Sequence, residues 1–323
     1  MTYNPADMTL WDGRVDNEET GLSTRWHQEI QLLPQKDIVA ESVSLLGFAC
    51  DEGVRRNKGR QGAKLGPQGI RKALANTAWH QPGLVYDAGD VSCDDLHLEV
   101  AQNQLAAKVA YLLEHGLKPI VLGGGHEVAW GSYQGIARHI YADEPDASIG
   151  IINLDAHLDL RNPEQQPSSG TPFRQIGEWC QANKKPFAYY CLGVNESSNT
   201  QALFDCAREQ GVQWCLDRHC KSSDLDSIRQ DIKHFLSHLD YLYFTICLDV
   251  FSAAAAPGVS APSVMGLDPV VGLEIVLIIL EEARSANVPI VLTDIAECNP
   301  LLDEDLRTSR LAARLVYELA KQL

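Results

Sequence analysis

Eight short apolar segments separated by helical stretches constrain the fold of this chain more than any other feature of its sequence. Most of these segments are continuous apolar runs, as is typical of parallel strands that are buried on both faces. The predicted strands are 43–49, 84–88, 118–122, 148–154, 187–192, 212–216, 241–248 and 289–295. Strands that alternate with helices predict a three-layer α/β fold, with about eight parallel strands and helices on both faces of the sheet.

The helical stretches between these strands show no sign of a domain boundary. They include 98–115, 127–141, 201–210, 224–238, 270–286 and 303–321. No linker rich in Pro, Gly or Ser interrupts the pattern, and a chain of 323 residues can form one large α/β domain. We therefore predict a single domain over residues 37–323, preceded by an irregular or helical N-terminal extension over residues 1–36.

Charge and composition exclude several classes of function. The net charge is −16, which argues against a nucleic-acid partner because phosphate binding needs a basic surface. No apolar run reaches the roughly 18 residues needed to cross a bilayer, and the first residues, MTYNPADMTLWDG, do not resemble a secretory signal. The nine cysteines form no CxxC pair and fit reduced thiols. We expect a cytoplasmic protein with neither a nucleic-acid nor a membrane partner.

Residues with metal-ligand chemistry follow several of the predicted strands. Functional sites of parallel α/β sheets collect at the carboxyl ends of the strands. Strand 118–122 continues as GGGHE, in which glycines permit a tight turn and place His126 at the start of a helix. An incidental histidine after a glycine turn is an equally good interpretation of this segment alone.

The segment LDAHLD after strand 148–154 is the strongest local signal. Alternate residues of an extended segment share a face, so Asp155, His157 and Asp159 project together. Fully extended, the outer two would lie about 13 Å apart, which is too far for one ion. The segment must therefore curl or serve two ions, as in two-metal hydrolases, whose ions are about 3.5–4 Å apart. A solvated loop of alternating charge is the alternative.

Strands 241–248 and 289–295 supply further candidates. Asp249 follows a largely apolar strand, where a carboxylate is costly to bury without a cation or hydrogen bonds. Cys247, two residues earlier, is either a metal ligand or a buried thiol. Asp294 and Glu297 either take part in the site or brace the turn into the last helix. Two histidines and three aspartates form a hard ligand set that suits Mn²⁺ better than structural Zn²⁺.

Taken together, these segments resemble the ureohydrolase family, which contains arginase, agmatinase and formimidoylglutamase. GGGHE is similar to the family's Gly-Gly-Asp-His-Ser segment, and NLDAHLDLR to its Asp-x-His-x-Asp motif. TICLDVF stands where the family usually has two aspartates separated by one residue, and DIAECNP is similar to its C-terminal segment. The resemblance runs from about residue 43 and implies an arginase-like fold.

The resemblance also implies two Mn²⁺ ions that activate water for attack on a C=N carbon. His126, Asp155, Asp159 and Cys247 would surround one ion, and Asp155, His157, Asp249 and Cys247 the other. The family normally has a bridging aspartate at position 247, so the softer sulfur of Cys247 is expected to change the affinity or occupancy of at least one ion. Glu297 matches the glutamate that holds the substrate's amidine, so Glu297 and Asp155 are the expected catalytic residues.

Two segments bear on the substrate. SSGTPFR aligns with His-Gly-Thr-Pro-Phe-Arg of agmatinases, whose histidine shuttles a proton to the leaving amine. Ser169 replaces that histidine, which disfavours guanidines, and the segment resembles that of formimidoylglutamases, which release L-glutamate and formamide in histidine degradation. The run RRNKGR at 55–60 suits an anionic substrate or is a solvated basic loop. Asn57, Arg60 and Asn195 are the expected carboxylate contacts, although Asn195 is equally well explained as a turn residue.

Two other functions are compatible with the sequence. One is hydrolysis of a guanidino compound, as by an agmatinase. The other is a non-catalytic scaffold that has kept the fold but has lost the bridging aspartate. A homo-oligomer is compatible with the family resemblance, but no feature of the sequence measures it.

Overall fold

A computed structural model describes residues 2–18, 21–35 and 37–323 of the chain. Positions 1, 19, 20 and 36 of the predicted N-terminal extension lie outside the described residues. Within the described part, no helix is long and apolar enough to cross a membrane.

The strands form one sheet at the centre of the molecule. They are β1 (Thr2–Asn4), β2 (Gln31–Leu32), β3 (Val43–Ala49), β4 (Val85–Ser92), β5 (Lys118–Gly123), β6 (Ile149–Leu154), β7 (Ala188–Val194), β8 (Gln213–Leu216), β9 (Tyr241–Cys247) and β10 (Ile290–Ala296). The order is β1-β4-β3-β5-β10-β9-β6-β7-β8, and β2 also pairs with β4. Strands β3 to β10 are parallel and correspond to the eight predicted strands, which confirms the predicted fold class.

Helices cover both faces of this sheet. They are α1 (Trp26–Glu29), α2 (Glu52–Arg56), α3 (Gly66–Ala75), α4 (Leu98–Glu114), α5 (Val128–Asp143), α6 (Pro172–Ala182), α7 (Gln201–Glu209), α8 (Leu225–Leu236), α9 (Pro269–Ser285) and α10 (Arg307–Gln322). The apolar core is divided by the sheet. Ile120 and Leu122 of β5 pack in one cluster with α3, α8, α9 and α10, whereas Val121 packs in the other with α4 to α7. The continuous apolar runs of the sequence arise because both faces of each central strand are buried.

The N-terminal segment differs in part from the expectation of an irregular or helical extension. It contains α1, but it also adds two short strands: β1 pairs antiparallel with β4, and β2 pairs parallel with it. Trp11 is buried, and its indole N–H donates to Asp87 of β4 at 2.8 Å. The segment is therefore packed onto the edge of the same sheet, and a division of the chain at residue 37 stays a prediction.

The strand order decides where the candidate ligands lie. Strands β5, β10, β9 and β6 are consecutive in the middle of the sheet, although they are distant in the chain. Because they are parallel, their carboxyl ends share one edge; for example, Ala296 at the end of β10 lies beside Cys247 at the end of β9. The segments that begin at residues 123, 155, 247 and 296 therefore meet at this edge.

Candidate metal centre

The glycine turn after β5 brings His126 into the sheet edge. Gly124 has no room for a side chain, because a Cβ there would lie 1.8 Å from the carbonyl oxygen of Cys50. His126 is buried, and its Nε2 lies 3.1 Å from Oγ1 of Thr245 on β9. Its Nδ1 faces carboxylates but makes no well-aligned hydrogen bond with the described residues. The contact at Nε2 leaves Nδ1 available as a metal ligand, as is usual for histidine ligands.

The segment after β6 curls. This is one of the two arrangements that its ligand spacing allowed, the other being an extended segment that serves two ions. Asp159 has a φ of 48°, in the left-handed region that few residues other than glycine adopt. Asp155 accepts a hydrogen bond from the amide of His157 at 2.8 Å. As a result, carboxylate oxygens of Asp155 and Asp159 lie 2.9 and 3.2 Å from Nδ1 of His126. Such strain is typical of functional sites.

A second group of ligand atoms forms around His157. Its Nδ1 lies 3.1 Å from a carboxylate oxygen of Asp249 and 3.6 Å from one of Asp155. The other oxygen of Asp249 is buried and, in the described part of the chain, forms no hydrogen bond. The structure thus contains two groups of candidate ligands, and within each group the ligand atoms lie within 4.8 Å of one another. One group is His126, Asp155 and Cys247, and the other is Asp155, His157 and Asp249. Asp155 belongs to both, so it is placed to bridge two ions.

The electrostatics of this cluster favour a bound cation. Burial opposes a positive charge on His126 and on His157, but the carboxylates beside them raise the pKa of both imidazoles well above its usual range. Burial raises the pKa of Asp159 and of Asp249. Burial and the nearby Asp155 also raise the pKa of the Cys247 thiol. Several acidic groups are therefore buried close together and need positive charge nearby. Divalent ions can supply that charge when they bind and displace the protons of their ligands.

Glu297 lies beside these groups in an unusual conformation. Its φ is 69°, it is buried, and its Oε1 accepts a hydrogen bond from the amide of His126 at 3.1 Å. Its Oε2 has no partner within the described residues. Burial raises the pKa of Glu297 to about 8, helped by the negative charge of Glu127. An unpaired carboxylate oxygen at this place can accept an N–H from a ligand.

Asp294, the other candidate on β10, is not part of the centre. It accepts hydrogen bonds from the hydroxyls of Ser132 on α5 and Tyr243 on β9, and it is fully buried. It does not line the cavity described next. Asp294 thus has a structural role, but it holds α5 against the sheet and does not brace the turn into the last helix, which the structural alternative expected.

A cavity of about 330 Å³ opens from the cluster. Its lining includes His126, His157, Asp159, Cys247, Asp249 and Glu297, together with Asn57, Lys58, Arg60, Arg161, Ser169, Ser198 and Asn199. Ser169 takes the position expected for it, and its hydroxyl accepts a hydrogen bond from the Asn57 amide at 3.3 Å. The cluster and the segments predicted to read the substrate therefore face one space.

The basic run at 55–60 is divided by α2. Arg55 and Arg56 turn back to form ion pairs with Glu52, so they are used within the protein. Lys58 and Arg60, beyond the end of the helix, line the cavity. The guanidinium of Arg60 already donates to the carbonyl oxygens of residues 259 and 260, at 2.6 and 2.9 Å.

Asn195 does not lie where a contact with the substrate carboxylates would require it. Its Oδ1 accepts hydrogen bonds from the amide and hydroxyl of Ser197, so it closes a 3₁₀ turn, and it does not line the cavity. Ser198 and Asn199, three and four residues further on, line it instead. The expected substrate contact of Asn195 is therefore wrong, and the alternative interpretation as a turn residue holds.

Arg161 is the main cavity residue that the sequence analysis did not single out. It lies two residues after Asp159, and its guanidinium forms no hydrogen bond or ion pair with the described residues. An arginine directly after the ligand motif of a strongly acidic chain was a usable signal. With Lys58 and Arg60, it gives the cavity three cationic side chains, which we call the cationic rim.

Comparisons with known proteins agree with this architecture. A sequence model described as the Arginase family matches residues 41–321. The formimidoylglutamase of Aeromonas hydrophila is 49% identical over 319 residues, which cover 99% of each chain. The crystal structure of formimidoylglutamase from Bacillus subtilis has a TM-score of 0.83 at 24% identity, covering 96% of this chain and 94% of that one. That of Trypanosoma cruzi formiminoglutamase with Mn²⁺ has a TM-score of 0.73 at 27% identity, covering 87% and 93%. The family match includes every candidate ligand.

Proposed function

The chain belongs to the arginase family, and from this premise we propose that it hydrolyses N-formimidoyl-L-glutamate to L-glutamate and formamide, a reaction of histidine degradation. The observation that carries this proposal is a ligand cluster for two cations at the base of a cavity with a cationic rim. The near full-length similarity to formimidoylglutamases supports the same reaction.

The residues present fit two Mn²⁺ ions. The imidazole Nδ1 of His126 lies among carboxylate oxygens without a well-aligned hydrogen bond, and one oxygen of Asp249 is buried without a hydrogen-bond partner in the described chain, as expected of groups that bind a cation. We assign the ligands as His126, Asp155, Asp159 and Cys247 for one ion, and Asp155, His157, Asp249 and Cys247 for the other. When bound, the ions supply the acidity that makes hydroxide available from water near neutral pH. A thiolate at position 247 is a softer ligand than the family's aspartate.

The cationic rim suits the glutamate part of the substrate. Glutamate brings two carboxylates, and arginine and lysine are their usual partners. The Arg161 guanidinium makes no hydrogen bond or ion pair with the described residues, Lys58 lines the same cavity, and Arg60 is already partly engaged by backbone carbonyls. Asn57 adds an amide at the junction with Ser169. We assign carboxylate recognition chiefly to Arg161 and Lys58, with Arg60 and Asn57 shaping the wall.

Glu297 suits the formimidoyl end of the substrate. Its free Oε2 can accept an N–H from the cationic amidine, which would hold the trigonal carbon beside the ligand cluster. Its backbone amide donates to the carbonyl oxygen of Gly124 at 2.8 Å, and its Oε1 receives the amide of His126. Glu297 is thus fixed from two sides, and orienting the substrate in this way lowers the entropy cost of reaction.

Two alternatives are less well supported. Guanidine hydrolysis would need a proton donor for the leaving amine, but the position used for it carries Ser169, and among the described cavity residues the only imidazoles are those of His126 and His157. A non-catalytic scaffold would not need two complete groups of ligand atoms around Asp155. The relatives with 49% and 48% identity are formimidoylglutamases as well.

The protein acts on a small substrate, and we extend the proposal to its setting. All nine cysteines lie within the described residues and are free, which supports action in the reducing cytoplasm. The net charge of −16 supports neither a nucleic-acid nor a membrane-surface partner. A homo-oligomer stays a prediction.

A substrate panel tests the proposal. The Mn²⁺-loaded protein would be offered formimidoylglutamate, arginine, agmatine and guanidinobutyrate, and both glutamate and urea would be measured. We expect glutamate and formamide in equal amounts from the first compound and no urea from the others. Urea release without glutamate formation would contradict the proposal. A chain without turnover on any of the four would favour the scaffold alternative.

A further inference from the structure

The side chain of Glu127 has no part in the centre described above, although it directly follows His126. It is fully buried, and its Oε1 accepts hydrogen bonds from the amide of Gly53 at 2.8 Å and from the thiol of Cys50 at 3.6 Å. Its Oε2 has no partner in the described parts of the chain. A buried carboxylate is costly, so the contacts that it makes indicate what it does.

These contacts connect Glu127 to the wall of the cavity. Gly53 lies in the first turn of α2, where backbone amides have no acceptor within the helix. The carbonyl oxygen of the same residue accepts the amide of Asn57 at 2.9 Å, and Asn57 begins the segment 57–60 that lines the cavity. Two hydrogen bonds, one to the amide and one to the carbonyl oxygen of Gly53, therefore link the Glu127 carboxylate to Asn57.

The Glu127 carboxylate packs closely against two glycines. A Cβ on Gly53 would lie 2.4 Å from Cδ of Glu127, and a Cβ on Gly125 would lie 2.1 Å from its Oε2. Neither neighbour can carry a side chain while Glu127 stays where it is. In the family's Gly-Gly-Asp-His-Ser segment the carboxylate precedes the histidine, whereas here Gly125 precedes it and Glu127 follows it.

We propose that Glu127 is a positioning residue, which fixes α2 to the end of β5 so that Asn57 and the segment after it meet the carboxylates of the substrate. This inference rests on the proposed function. Glu127 does not line the cavity and touches no reacting atom, so its loss should weaken substrate binding more than it slows the chemical step. It should equally weaken binding of the product L-glutamate, which carries the same carboxylates.

The test compares Glu127→Ala and Glu127→Gln with the wild type, all loaded with Mn²⁺. For Glu127→Ala we expect KM for formimidoylglutamate and the inhibition constant of L-glutamate to rise about tenfold, as for one lost buried hydrogen bond. We expect kcat to stay within about threefold and the Mn²⁺ content to be unchanged. Glu127→Gln keeps an oxygen that can accept the Gly53 amide, so it should restore most of the loss.

Asp240→Ala is the control. The exposed Asp240 carboxylate accepts the backbone amide and the hydroxyl of Ser148, at 2.8 and 2.7 Å, at the opposite edge of the sheet, so its loss removes carboxylate hydrogen bonds far from the cavity. It should lower the melting temperature without changing KM. Gly53→Ala should raise KM as Glu127→Ala does, and the double variant should be less than additive because the two residues touch.

Three results would overturn the inference or separate it from the function. An unchanged KM and inhibition constant in Glu127→Ala, with only a lower melting temperature, would show a purely structural role. Loss of Mn²⁺ together with kcat would show that Glu127 acts on the metal centre instead. If Glu127→Ala does not fold, Gly53→Ala makes the same test. Absence of wild-type turnover would contradict the proposed function itself.

Discussion

Replacing Arg161 by methionine should weaken substrate binding with little effect on the chemical step. A hydrogen bond between charged groups contributes about 1.5–3 kcal/mol, and 1.4 kcal/mol corresponds to a tenfold change in binding. Arg161 is exposed at the cavity rim, where water and salt screen its charge, so the lower value applies. We expect KM to rise about tenfold while kcat changes less than about twofold.

The assay is steady-state release of L-glutamate at low and at high ionic strength. Screening should shrink the difference in KM between wild type and Arg161→Met as salt is added. Arg229→Met is the control, because it removes the same charge from α8, where the guanidinium pairs with Glu281 at 2.9 Å. The reasoning is refuted if KM is unchanged at low salt, or if kcat falls while KM does not move.

Three further substitutions test the centre. Each Mn²⁺ bound at about 100 times its dissociation constant stabilises a protein by about 2.7 kcal/mol, or about 4 °C in melting temperature for a chain of this size. Asp155→Ala should abolish the shift from both ions and leave no bound metal by elemental analysis, and a retained shift would contradict the shared role of Asp155. Cys247→Asp should change the Mn²⁺ titration or the preferred metal, whereas an identical titration would show that the side chain is not a ligand. Glu297→Gln should lower kcat/KM about 100-fold with both ions retained, and normal kinetics would exclude its substrate contact.

The central strands and the residues that gather at the carboxyl edge of the sheet could be predicted from sequence because both depend on local pattern. Burial on both faces requires continuous apolar runs, and parallel strands bring their carboxyl ends to one edge whatever their order. The five polar residues after β5, β6 and β9 were therefore identified without knowledge of which strands are neighbours. The order β5-β10-β9-β6 is what brings Glu297 beside His126, and no local pattern carries it.

The parts that were missed depend on tertiary contacts. Strands β1 and β2 have three and two residues, too few for a recognisable period, and they form because β4 offers a free edge. Backbone angles decide which side chain of the turn after β7 faces the cavity. Asn199 lines the cavity, whereas Asn195 does not. The sequence gives no sign that the basic residues at 55–60 differ in role, but the first two arginines lie in the short helix α2 and form ion pairs with Glu52.

The strand order also determines when the metal centre can exist during synthesis. The segments after β5 and β6 contain four of the six proposed ligands, yet β9 and β10 lie between these strands in the sheet and come from residues 241–296. A nascent chain that ends before residue 241 holds His126, Asp155, His157 and Asp159 but lacks the two strands that set their spacing. We therefore expect metal capture to be a late event, coupled to insertion of the C-terminal strands into the middle of the sheet.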